Sequence, residues 1–464
     1  MKKLWSLAII EVVLLGSIAA CARSSSDASS SGARPKTVTV VKLLDNAGAY
    51  KLLTEKKIEE YNNGVGKDRG VKIDIETLTD RYREVLLLAI RSGNPPDLFA
   101  MPAGLEASYI ASGWVMPLED VPGSREIITR FRQYLKTERH IHGGKTYALP
   151  LEVLPIKMAY NRDLFRKAGI VDAKGEPTPP KTWAEVAQYA KRITDASSGA
   201  AYGFGHCWAF VVGYRRLLFK PFIASIGHFW FDHRTGRYNF KDFAPALEFM
   251  MQTKNDRSCF PGAESLDMDP LRAQFAEGRI GMFIAASYEV AVFSQMFPTK
   301  VDWAICDMPV MDPNNRYKEV MLDRVNVSIS SSVTKERLPG VFEAFKFMHD
   351  KKFYQYLYEN CAIIPHEQDI ITSAGNVQNK TGWKAMSADL SKGYTIFPWP
   401  DSLLTLEGPS HKEVLDRVWL GELSIDTALA DLEKRYNEAL DRAIKEGKIT
   451  ISNYIFKEDI RLTK

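Results

Sequence analysis

The chain has 464 residues, more than one compact core usually accommodates, because domains mostly hold about 50–250 residues. Hydrophobic side chains make up 45% of it and charged side chains 25%, the balance of an ordinary globular protein. The 61 basic residues nearly match the 57 acidic ones, so the formal net charge is only +4, with no long run of one sign. This composition argues against a nucleic-acid-binding protein, which is expected to carry a basic stripe or patch.

The first residues have the pattern of an export signal. Lys2 and Lys3 precede the apolar stretch LWSLAIIEVVLLGSIAA, which ends in small residues. The stretch is marginal for a transmembrane helix, which needs about 20 apolar residues, and Glu11 interrupts it. Residues 1–20 are therefore predicted to be a signal peptide.

A lipid anchor is expected directly after this signal. Ile18-Ala19-Ala20-Cys21 resembles a bacterial lipobox, which implies cleavage before Cys21 and lipidation of its thiol. The alternative is an ordinary signal peptide followed by an incidental cysteine. Residues 21–36, rich in Ser and Ala, cannot bury enough apolar surface to fold and are predicted to form a flexible tether. The protein is then exported and held on the outer face of the cell membrane, or on the periplasmic side in a two-membrane cell.

Strand and helix patterns alternate after the tether. TVTVVKLLDN predicts a buried strand that ends in Asp45-Asn46, and VKIDIETL and DLFA predict two more. YKLLTEKKIEEYNN and RYREVLLLAIRSG, which lie between them, have helical spacing. This order predicts a mainly parallel sheet flanked by helices, with ligands at the carboxyl ends of its strands. The loops at Asp45-Asn46 and at Met101-Pro102-Ala103 are therefore expected on one rim.

A second unit is predicted to begin near Leu151. LPIKMAYNRDLFRKAGI indicates a strand that leads into a helix, and TWAEVAQYAKRIT indicates a helix with a capping box of Thr182 and Glu185. Further helices are predicted for PALEFMMQT, LRAQFAEG, GVFEAFKFMHDKKFYQYLYEN and the terminal SIDTALADLEKRYNEALDRAIKEG. Trp183 and Phe165 are interpreted as core anchors, since large aromatic side chains usually pack.

The cysteines show no metal or redox motif. Cys207, Cys259, Cys306 and Cys361 lie at long, irregular separations. Export permits disulfides, but the sequence does not say which residues would pair, and buried free thiols are an equal alternative.

Six blocks of the chain together resemble the family 1 extracellular solute-binding proteins, the group of the maltose- and oligosaccharide-binding lipoproteins. In order they are RSGNPPDLF, ASGWVMPLED, GKTYALPLEVLPIKMAYNRDLFRKAGI, PPKTWAEVAQYAKRIT, FAEGRIGMFIAASYEV and LGELSIDTALADLEKRYNEAL. Each block alone is weakly specific, but six in order across nearly the whole mature chain are typical of this family.

The resemblance implies a fold and an organisation. The fold class is α/β, a two-lobed periplasmic-binding-protein-like fold of type II, with a mainly parallel sheet flanked by helices in each lobe and the ligand between them. Lobe 1 would comprise residues 37–152 plus 312–363, and lobe 2 residues 153–311 plus 364–464. The implied function is that of a receptor of an ABC importer, which captures a carbohydrate and delivers it to membrane permease subunits. No catalysis, cofactor, metal or nucleic-acid partner is implied, and a monomer is expected.

The candidate ligand residues lie near predicted strand ends or cleft loops. Sugars offer flat apolar faces and many hydroxyls, so aromatic and planar polar side chains are the expected contacts. Tyr288 lies where the family has an aromatic residue after a strand, and Trp399 where relatives often place a stacking tryptophan. The full set is Asp45, Asn46, Arg81, Met101, Glu152, Trp208, Ser287, Tyr288, Asp323 and Trp399. The alternative for these residues is packing or a salt bridge.

Two other classes of function stay open at this point. The same fold could bind a polyamine, a phosphate ester or another small polar molecule. A mainly acidic cleft would favour a polyamine, and a helix N-terminus with arginines would favour a phosphate. An extracellular enzyme or adhesion protein on a similar scaffold would need close carboxylates or metal ligands in the cleft.

Overall fold

The computed structural model describes residues 38–46, 50–78, 81–208, 226–312, 314, 319–375, 377, 380–388, 390, 393–395 and 397–456. The chain from Val38 onward forms one compact unit. The predicted signal peptide (residues 1–20), Cys21 and the predicted tether (residues 21–36) lie outside the described residues. Within the described ranges, no helix combines the length and the apolar character that crossing a membrane requires.

Strands and helices alternate along most of the described chain. The strands are β1 (Thr39–Asp45), β2 (Val71–Thr77), β3 (Leu98–Ala100), β4 (Ile141–His142), β5 (Lys145–Thr146), β6 (Pro150–Asn161), β7 (Tyr202–Gly205), β8 (Phe231–Asp232), β9 (Arg237–Tyr238), β10 (Ile280–Ala286), β11 (Trp303–Cys306), β12 (Glu319–Val325), β13 (Val327–Ile329) and β14 (Gly393–Thr395). The helices are α1 (Lys51–Asn63), α2 (Val65–Arg69), α3 (Tyr82–Arg91), α4 (Glu106–Ala111), α5 (Arg125–Phe131), α6 (Arg162–Lys167), α7 (Trp183–Ser197), α8 (Ala244–Asn255), α9 (Met268–Ala276), α10 (Glu289–Gln295), α11 (Leu338–Met348), α12 (Lys351–Glu359), α13 (Gln368–Ser373), α14 (Trp383–Ser387), α15 (His411–Leu420) and α16 (Ile425–Lys445).

The first sheet has the strand order β13-β3-β1-β2. β1 runs parallel to both β2 and β3, as the alternating pattern predicts, and β13 is antiparallel to β3. Val41 and Leu43 of β1 pack into one hydrophobic core, whereas Leu44 packs into another, because successive side chains point to opposite faces of a sheet. We call this sheet and the elements packed on it the first lobe.

The second sheet has the order β14-β12-β6-β10-β7, and β11 also pairs with β6. The expectation of a mainly parallel sheet does not hold here, because β6 runs antiparallel to β10, β11 and β12. β6 and β12 are neighbours in this sheet and carry the chain in opposite directions. They therefore pair antiparallel. We call this sheet and its flanking helices the second lobe.

Among the residues that the structure describes, three segments carry the chain between the two lobes. In β6, Leu151 packs in a first-lobe core and Leu154 in the second-lobe core. β12 crosses in the opposite direction, from Leu322 in the second-lobe core to Val325 in a first-lobe core. The third segment runs through Ile363 and Ile364, which belong to different cores, and the Val153 N–H donates to the carbonyl of Ile364 at 2.9 Å. The exact lobe boundaries given above stay a prediction.

Most helix predictions are confirmed, with one division that the sequence pattern did not indicate. The capping box at the start of α7 is present, and Trp183 and Phe165 are buried core residues as expected. The single helix predicted for residues 340–360 is two helices, α11 and α12. Asp350 separates them because its side chain caps α12 by accepting the N–H groups of Lys352 and Phe353.

The cysteines beyond the predicted lipidation site are free thiols. Cys207, Cys259 and Cys361 are buried, and Cys306 is half-buried. Burial raises the pKa of each of these thiols, to about 12 for Cys207 and about 11 for Cys259. These side chains therefore behave as small core residues rather than as reactive thiolates.

Candidate functional site

The carboxyl ends of β1 and β3 form one rim of the first lobe. The Leu44 and Phe99 positions pair in register, so Asp45 and Met101 follow at the same edge. The Tyr82 hydroxyl donates to the Ala100 carbonyl at 2.6 Å and contacts that of Leu44 at 3.3 Å, which fixes the two ends together. The rim predicted from the sequence is therefore confirmed.

The candidate residues on this rim differ in exposure. Asp45 is buried, and its carboxylate accepts the N–H of Asn46 at 2.8 Å, while the Asn46 side chain is half-buried. Met101 is buried in the same core as Tyr82. Arg81 is exposed and lies directly before α3 with a positive φ of 54°, an uncommon conformation for arginine.

Glu152 of β6 faces an arginine on the neighbouring crossing strand. It is the register partner of Arg324 in β12, and Arg324 Nε lies 3.4 Å from Glu152 Oε1. The Arg324 guanidinium also lies 5.0 Å from the centre of the Tyr50 ring, at the start of α1. Burial lowers the pKa of Arg324, and the Asp45 carboxylate acts in the opposite direction. The structure thus brings Glu152 and Tyr50 together around Arg324.

Asp323 lies beside Arg324 in β12 and therefore points to the opposite face. Its side chain has no exposed surface, and it accepts hydrogen bonds from Lys136 Nζ at 3.0 Å and from the His366 ring at 3.1 Å. Burial alone would raise the pKa of Asp323, but Lys136 and His366 hold it well below its ordinary range. Asp323 thus joins the first lobe to two crossing segments, which is a position suited to holding the hinge rather than to contacting a ligand.

The residues around Asp323 extend this buried polar cluster. The Arg139 guanidinium donates to the Asp323 carbonyl and pairs with Glu106 at 2.9 Å. The His140 ring accepts the N–H of Lys136 at 2.9 Å, and burial lowers the pKa of His140 to about 3. Sequence reasoning did not place Glu106, Arg139 or His140 among the candidate ligand residues.

Ser287 and Tyr288 follow β10 where it meets β6. The Ser287 N–H donates to the Pro155 carbonyl at 3.2 Å, which places β10 three residues along β6 from Glu152. The Ser287 hydroxyl is fully buried and makes no hydrogen bond to any residue that the structure describes. Tyr288 is half-buried and lies 5.7 Å from the guanidinium of Arg272.

Arg272 is held behind Tyr288 by a buried ion pair. Two hydrogen bonds, of 2.9 and 2.7 Å, join its guanidinium to the Glu289 carboxylate, and Asp269 accepts a third of 2.6 Å. Burial opposes the charge on Arg272, but Glu289 more than compensates and raises the pKa of the arginine. Because this geometry is bidentate, it holds the Arg272 guanidinium in a fixed position beside the Tyr288 ring.

Trp399 lies close to a contact between the lobes. Its half-buried ring is centred 4.8 Å from that of Phe229. The 3-10 helix Asp401–Leu403 follows it and contacts α4 of the first lobe. Asp401 is held in the second lobe by the Tyr238 hydroxyl at 2.6 Å. Trp399 is thus positioned where the second lobe approaches the first.

Trp208 packs inside the second lobe. Its ring is buried and stacks on Trp419 with 5.7 Å between centres, and its Nε1 donates to Asp416 at 2.5 Å. The residues that follow it, 209–225, lie outside the described residues. This environment favours the packing alternative for Trp208, and its contact with a ligand stays a prediction.

The candidates therefore separate into groups. Asp45, Asn46, Met101 and Glu152 gather at the first-lobe rim and the crossing strands, and Ser287 joins them through β6. The residues that sequence reasoning missed are Arg324 and Tyr50. A charged pair inside the apolar strand EVMLDRV was the one available signal for Arg324. Within the described ranges, no group of three or more His, Cys, Asp or Glu side chains could hold a metal ion.

In the described part of the chain, three crossing segments join two lobes, and polar and aromatic residues gather at the crossing. This arrangement is that of a hinged ligand-binding protein. The family model of the bacterial extracellular solute-binding proteins matches residues 47–352. The chain belongs to this family.

Individual relatives cover most of the chain at low identity. A binding protein of Brucella abortus strain 2308 is 23% identical over 434 residues, which are 89% of this chain and 95% of the relative. The sn-glycerol-3-phosphate-binding periplasmic protein UgpB of Salmonella paratyphi A is 22% identical over 380 residues, 78% of this chain and 83% of UgpB.

Solved structures show the same fold. The maltose/maltodextrin-binding domain MalE of Bdellovibrio bacteriovorus, bound to maltotriose, superposes with a TM-score of 0.69 at 16% identity, covering 88% of this chain and all of that one. The substrate-binding protein Lmo0181 of Listeria monocytogenes, in complex with cycloalternan, gives a TM-score of 0.68 at 16% identity, covering 87% and 99%. These likenesses confirm the two-lobed periplasmic-binding-protein-like fold.

Proposed function

We propose that this protein is the receptor of an ABC importer and captures a carbohydrate, an oligosaccharide, between its two lobes. The observation that carries the proposal is the pair of Glu152 and Arg324 beside the Tyr50 ring at the crossing strands. Planar polar groups next to an aromatic face match the hydroxyls and the apolar faces of a sugar. The oligosaccharides in MalE and Lmo0181, which share the fold over nearly the whole chain, support the same ligand class.

Capture would proceed by hinge closure. The segments that cross between the lobes are few, so small backbone rotations in β6, in β12 and near Ile364 would change the angle between the lobes. Ligand contacts from both lobes would stabilise the closed form relative to the open one. Ser287 and Tyr288 in the second lobe would complete the contacts made by Asp45 and Glu152. No covalent step is part of this function, and the ligand would leave unchanged.

The remaining parts of the proposal concern location and delivery. Cys21 would carry the lipid that holds the protein on the cell surface, with residues 21–36 as the tether. The lobes would comprise residues 37–152 plus 312–363 and residues 153–311 plus 364–464. The closed monomer would dock on permease subunits in the membrane. Replacement of Cys21 by Ala should move the protein from the membrane fraction to the soluble fraction, and unchanged fractionation would contradict the anchor.

A phosphate ester is the second candidate ligand. The similarity to UgpB, whose name specifies sn-glycerol-3-phosphate, favours it. An arginine at the crossing strands would suit a phosphate, because guanidinium groups bind phosphate oxygens in pairs. The pairing of Arg324 with the Glu152 carboxylate favours the carbohydrate over this alternative.

A thermal-shift screen of the protein without residues 1–21 separates these ligands. The panel would contain maltotriose, stachyose, chitotriose, sn-glycerol-3-phosphate and spermidine. A ligand at 100 times its Kd should add about 2.7 kcal/mol to the free energy of unfolding. A shift with one sugar that is recovered unchanged supports the proposal. A shift with sn-glycerol-3-phosphate alone would contradict the carbohydrate proposal and identify the ligand as a phosphate ester.

A further inference from the structure

Tyr50 lies where the first-lobe rim meets the crossing strands. It directly precedes α1, and only 3% of its surface is exposed. The centre of its ring lies 5.0 Å from Arg324 Cζ, and the same arginine lies beside Glu152 of β6. The Arg324 side chain keeps 18% of its surface exposed, so solvent reaches the group that the ring joins. The Tyr50 ring is therefore held next to a solvent-accessible part of the crossing while its own surface is almost fully buried.

The Tyr50 hydroxyl is buried and makes no hydrogen bond to any part of the chain that the structure describes. A buried hydroxyl that has lost water and gained no partner destabilises the folded protein, so such groups are rare and call for an explanation. Ser287 is the corresponding case in the second lobe, because its hydroxyl is also buried without a partner among the described residues. Each of the two can donate and accept a hydrogen bond, as a sugar hydroxyl can.

β6 connects the positions of these two hydroxyl groups. On the first-lobe side, Tyr50 contacts Arg324, whose Nε lies 3.4 Å from Glu152 Oε1. On the second-lobe side, the Ser287 N–H donates to the Pro155 carbonyl at 3.2 Å. Glu152 and Pro155 are separated by about 10 Å of strand, at about 3.3 Å per residue. A single ligand hydroxyl is too short to contact both residues, whereas two hydroxyls of one oligosaccharide are not.

We propose that Tyr50 and Ser287 bind the ligand through their hydroxyl groups, one from each lobe. The inference rests on the proposed function and adds to it a first-lobe contact, Tyr50, that the sequence did not indicate. Both hydroxyls gain hydrogen bonds at the same time only when the two lobes close on one ligand. Binding then satisfies two groups whose burial is otherwise unfavourable, which stabilises the closed form relative to the open one.

Tyr50→Phe and Ser287→Ala remove the two hydroxyls and keep the rest of each side chain. Because neither hydroxyl has a partner in the described part of the protein, the urea midpoint of each ligand-free variant should equal or exceed that of the wild type. Titration calorimetry with maltotriose, stachyose and chitotriose should identify a sugar that the wild type binds. Each variant should bind that sugar about three- to tenfold more weakly, the fold-change of one hydrogen bond between neutral groups.

Tyr61→Phe and Ser197→Ala are the matched controls. Their hydroxyls are also buried and without a partner within the described ranges. Tyr61 lies about 16 Å further along α1 than Tyr50. Ser197 ends α7 at the amino edge of β7, whereas Ser287 follows the carboxyl end of the parallel strand β10. Both controls should keep the wild-type Kd, and their urea midpoints should again equal or exceed that of the wild type.

Several results would overturn the inference. They are a wild-type Kd in Tyr50→Phe or in Ser287→Ala, and an equal loss of affinity in Tyr61→Phe. A lower urea midpoint in Tyr50→Phe would do the same, because it would show that the hydroxyl has a partner within the protein.

Failure of the proposed function gives a different result. If the wild type binds sn-glycerol-3-phosphate and none of the three sugars, the carbohydrate proposal fails, and the same variants titrated with that ester decide the role of Tyr50 and Ser287. A wild type that binds none of these four ligands contradicts both the proposed function and the inference.

Discussion

Glu138 of the first lobe and Asn453 of the second are joined by a direct hydrogen bond, although they are 315 positions apart in the chain. The Asn453 side-chain amide donates to Glu138 Oε1 at 2.8 Å, and the Tyr454 hydroxyl donates to Oε2 at 3.1 Å. Glu138 has a positive φ of 60°, which is uncommon for a residue with a side chain of this size. Tyr454 packs in the second-lobe core, so the contact links the two lobes away from the crossing strands.

Replacement of Glu138 by Ala should favour the open arrangement. Two hydrogen bonds to a carboxylate would be lost, and each contributes about 1.5–3 kcal/mol at most. Because the apparent Kd of a closing receptor depends on the population of its closed form, we expect sugar affinity to fall about three- to tenfold. Small-angle scattering of the ligand-free variant should give a larger radius of gyration than the wild type.

Lys145→Ala is the matched control for this change. Lys145 lies on the adjoining hairpin, and its ammonium group forms an exposed pair with Asp120, at 2.9 Å. Exposed pairs contribute little to stability, so this variant should keep the wild-type radius and Kd. If Glu138→Ala and Lys145→Ala both match the wild type, the contact does not influence closure.

The free energy of unfolding should fall already between about pH 6 and 5, above the pH at which most carboxylates titrate. Burial lowers the pKa of His140, His206 and His349 to about 3 each, against an ordinary value of about 6.5. Between these values the unfolded chain binds protons at these rings and the folded chain does not, so stability falls as the pH falls. Each histidine contributes about 1.4 kcal/mol per pH unit, so the three together should cost about 3–4 kcal/mol between pH 6 and 5.

The measurement is the free energy of unfolding in urea at several pH values between 5 and 7. His206→Gln provides the comparison, because glutamine can keep the contact that the ring makes with Thr253 at 3.3 Å. The variant should lose about one third of the pH slope, whatever its absolute stability. An unchanged slope would mean that His206 binds protons equally in the folded and unfolded states.

Local patterns in the sequence predicted much of the first lobe. The β-branched run up to Asp45 forms β1, and the alternating segment from Val71 forms β2, because these signals depend on neighbours in the chain. The carboxyl-end rule then placed Asp45 and Met101 on one rim correctly. Thr182 and Glu185 form the expected capping box for a similar reason, since both partners lie within one helical turn.

The contacts between the crossing strands could not be predicted from local sequence patterns. Arg324 and Glu152 meet only because β6 and β12 pair antiparallel between the lobes, and no local pattern encodes that register. The sequence predicts Asp323 beside a strand end, but alternation along β12 turns its side chain to the face opposite Arg324, toward Lys136 and His366. A candidate site on crossing strands therefore depends on contacts that a single sequence does not specify.

The break between α11 and α12 lies at a helix cap, Asp350. The sequence contains this cap, but the helical spacing of apolar residues continues across it. Asp350 accepts the Lys352 N–H at 2.8 Å and the Phe353 N–H at 3.3 Å. Asp350→Ala should lower the free energy of unfolding by about 1 kcal/mol, the usual contribution of such a cap. Asp350→Asn should restore most of it, because asparagine caps helices about as well. Equal losses in both variants would show that the carboxylate charge matters more than the cap. Urea unfolding at neutral pH measures both.

Loss of one partner of the Arg272–Glu289 pair should lower the free energy of unfolding strongly, whereas replacement of both partners should lower it only slightly. Arg272 and Glu289 are both buried and share two hydrogen bonds, and burial raises the pKa of Glu289 despite the arginine beside it. Arg272→Met alone leaves a buried carboxylate without this partner, so we expect a loss of about 3–5 kcal/mol in the free energy of unfolding. Arg272→Met combined with Glu289→Leu should lose far less than the sum of the two single changes, because neither charge remains buried alone.

A double-mutant cycle in urea at neutral pH measures this coupling directly. The exposed pair of Arg237 with Asp441, at 2.5 Å, is the control, and Arg237→Ala should cost no more than about 1 kcal/mol. Additive losses at Arg272 and Glu289 would show that the two side chains are stabilised independently of each other. Strong coupling, together with weakened sugar binding in Arg272→Met but normal binding in Arg237→Ala, would show that the pair holds Tyr288 in place for the ligand.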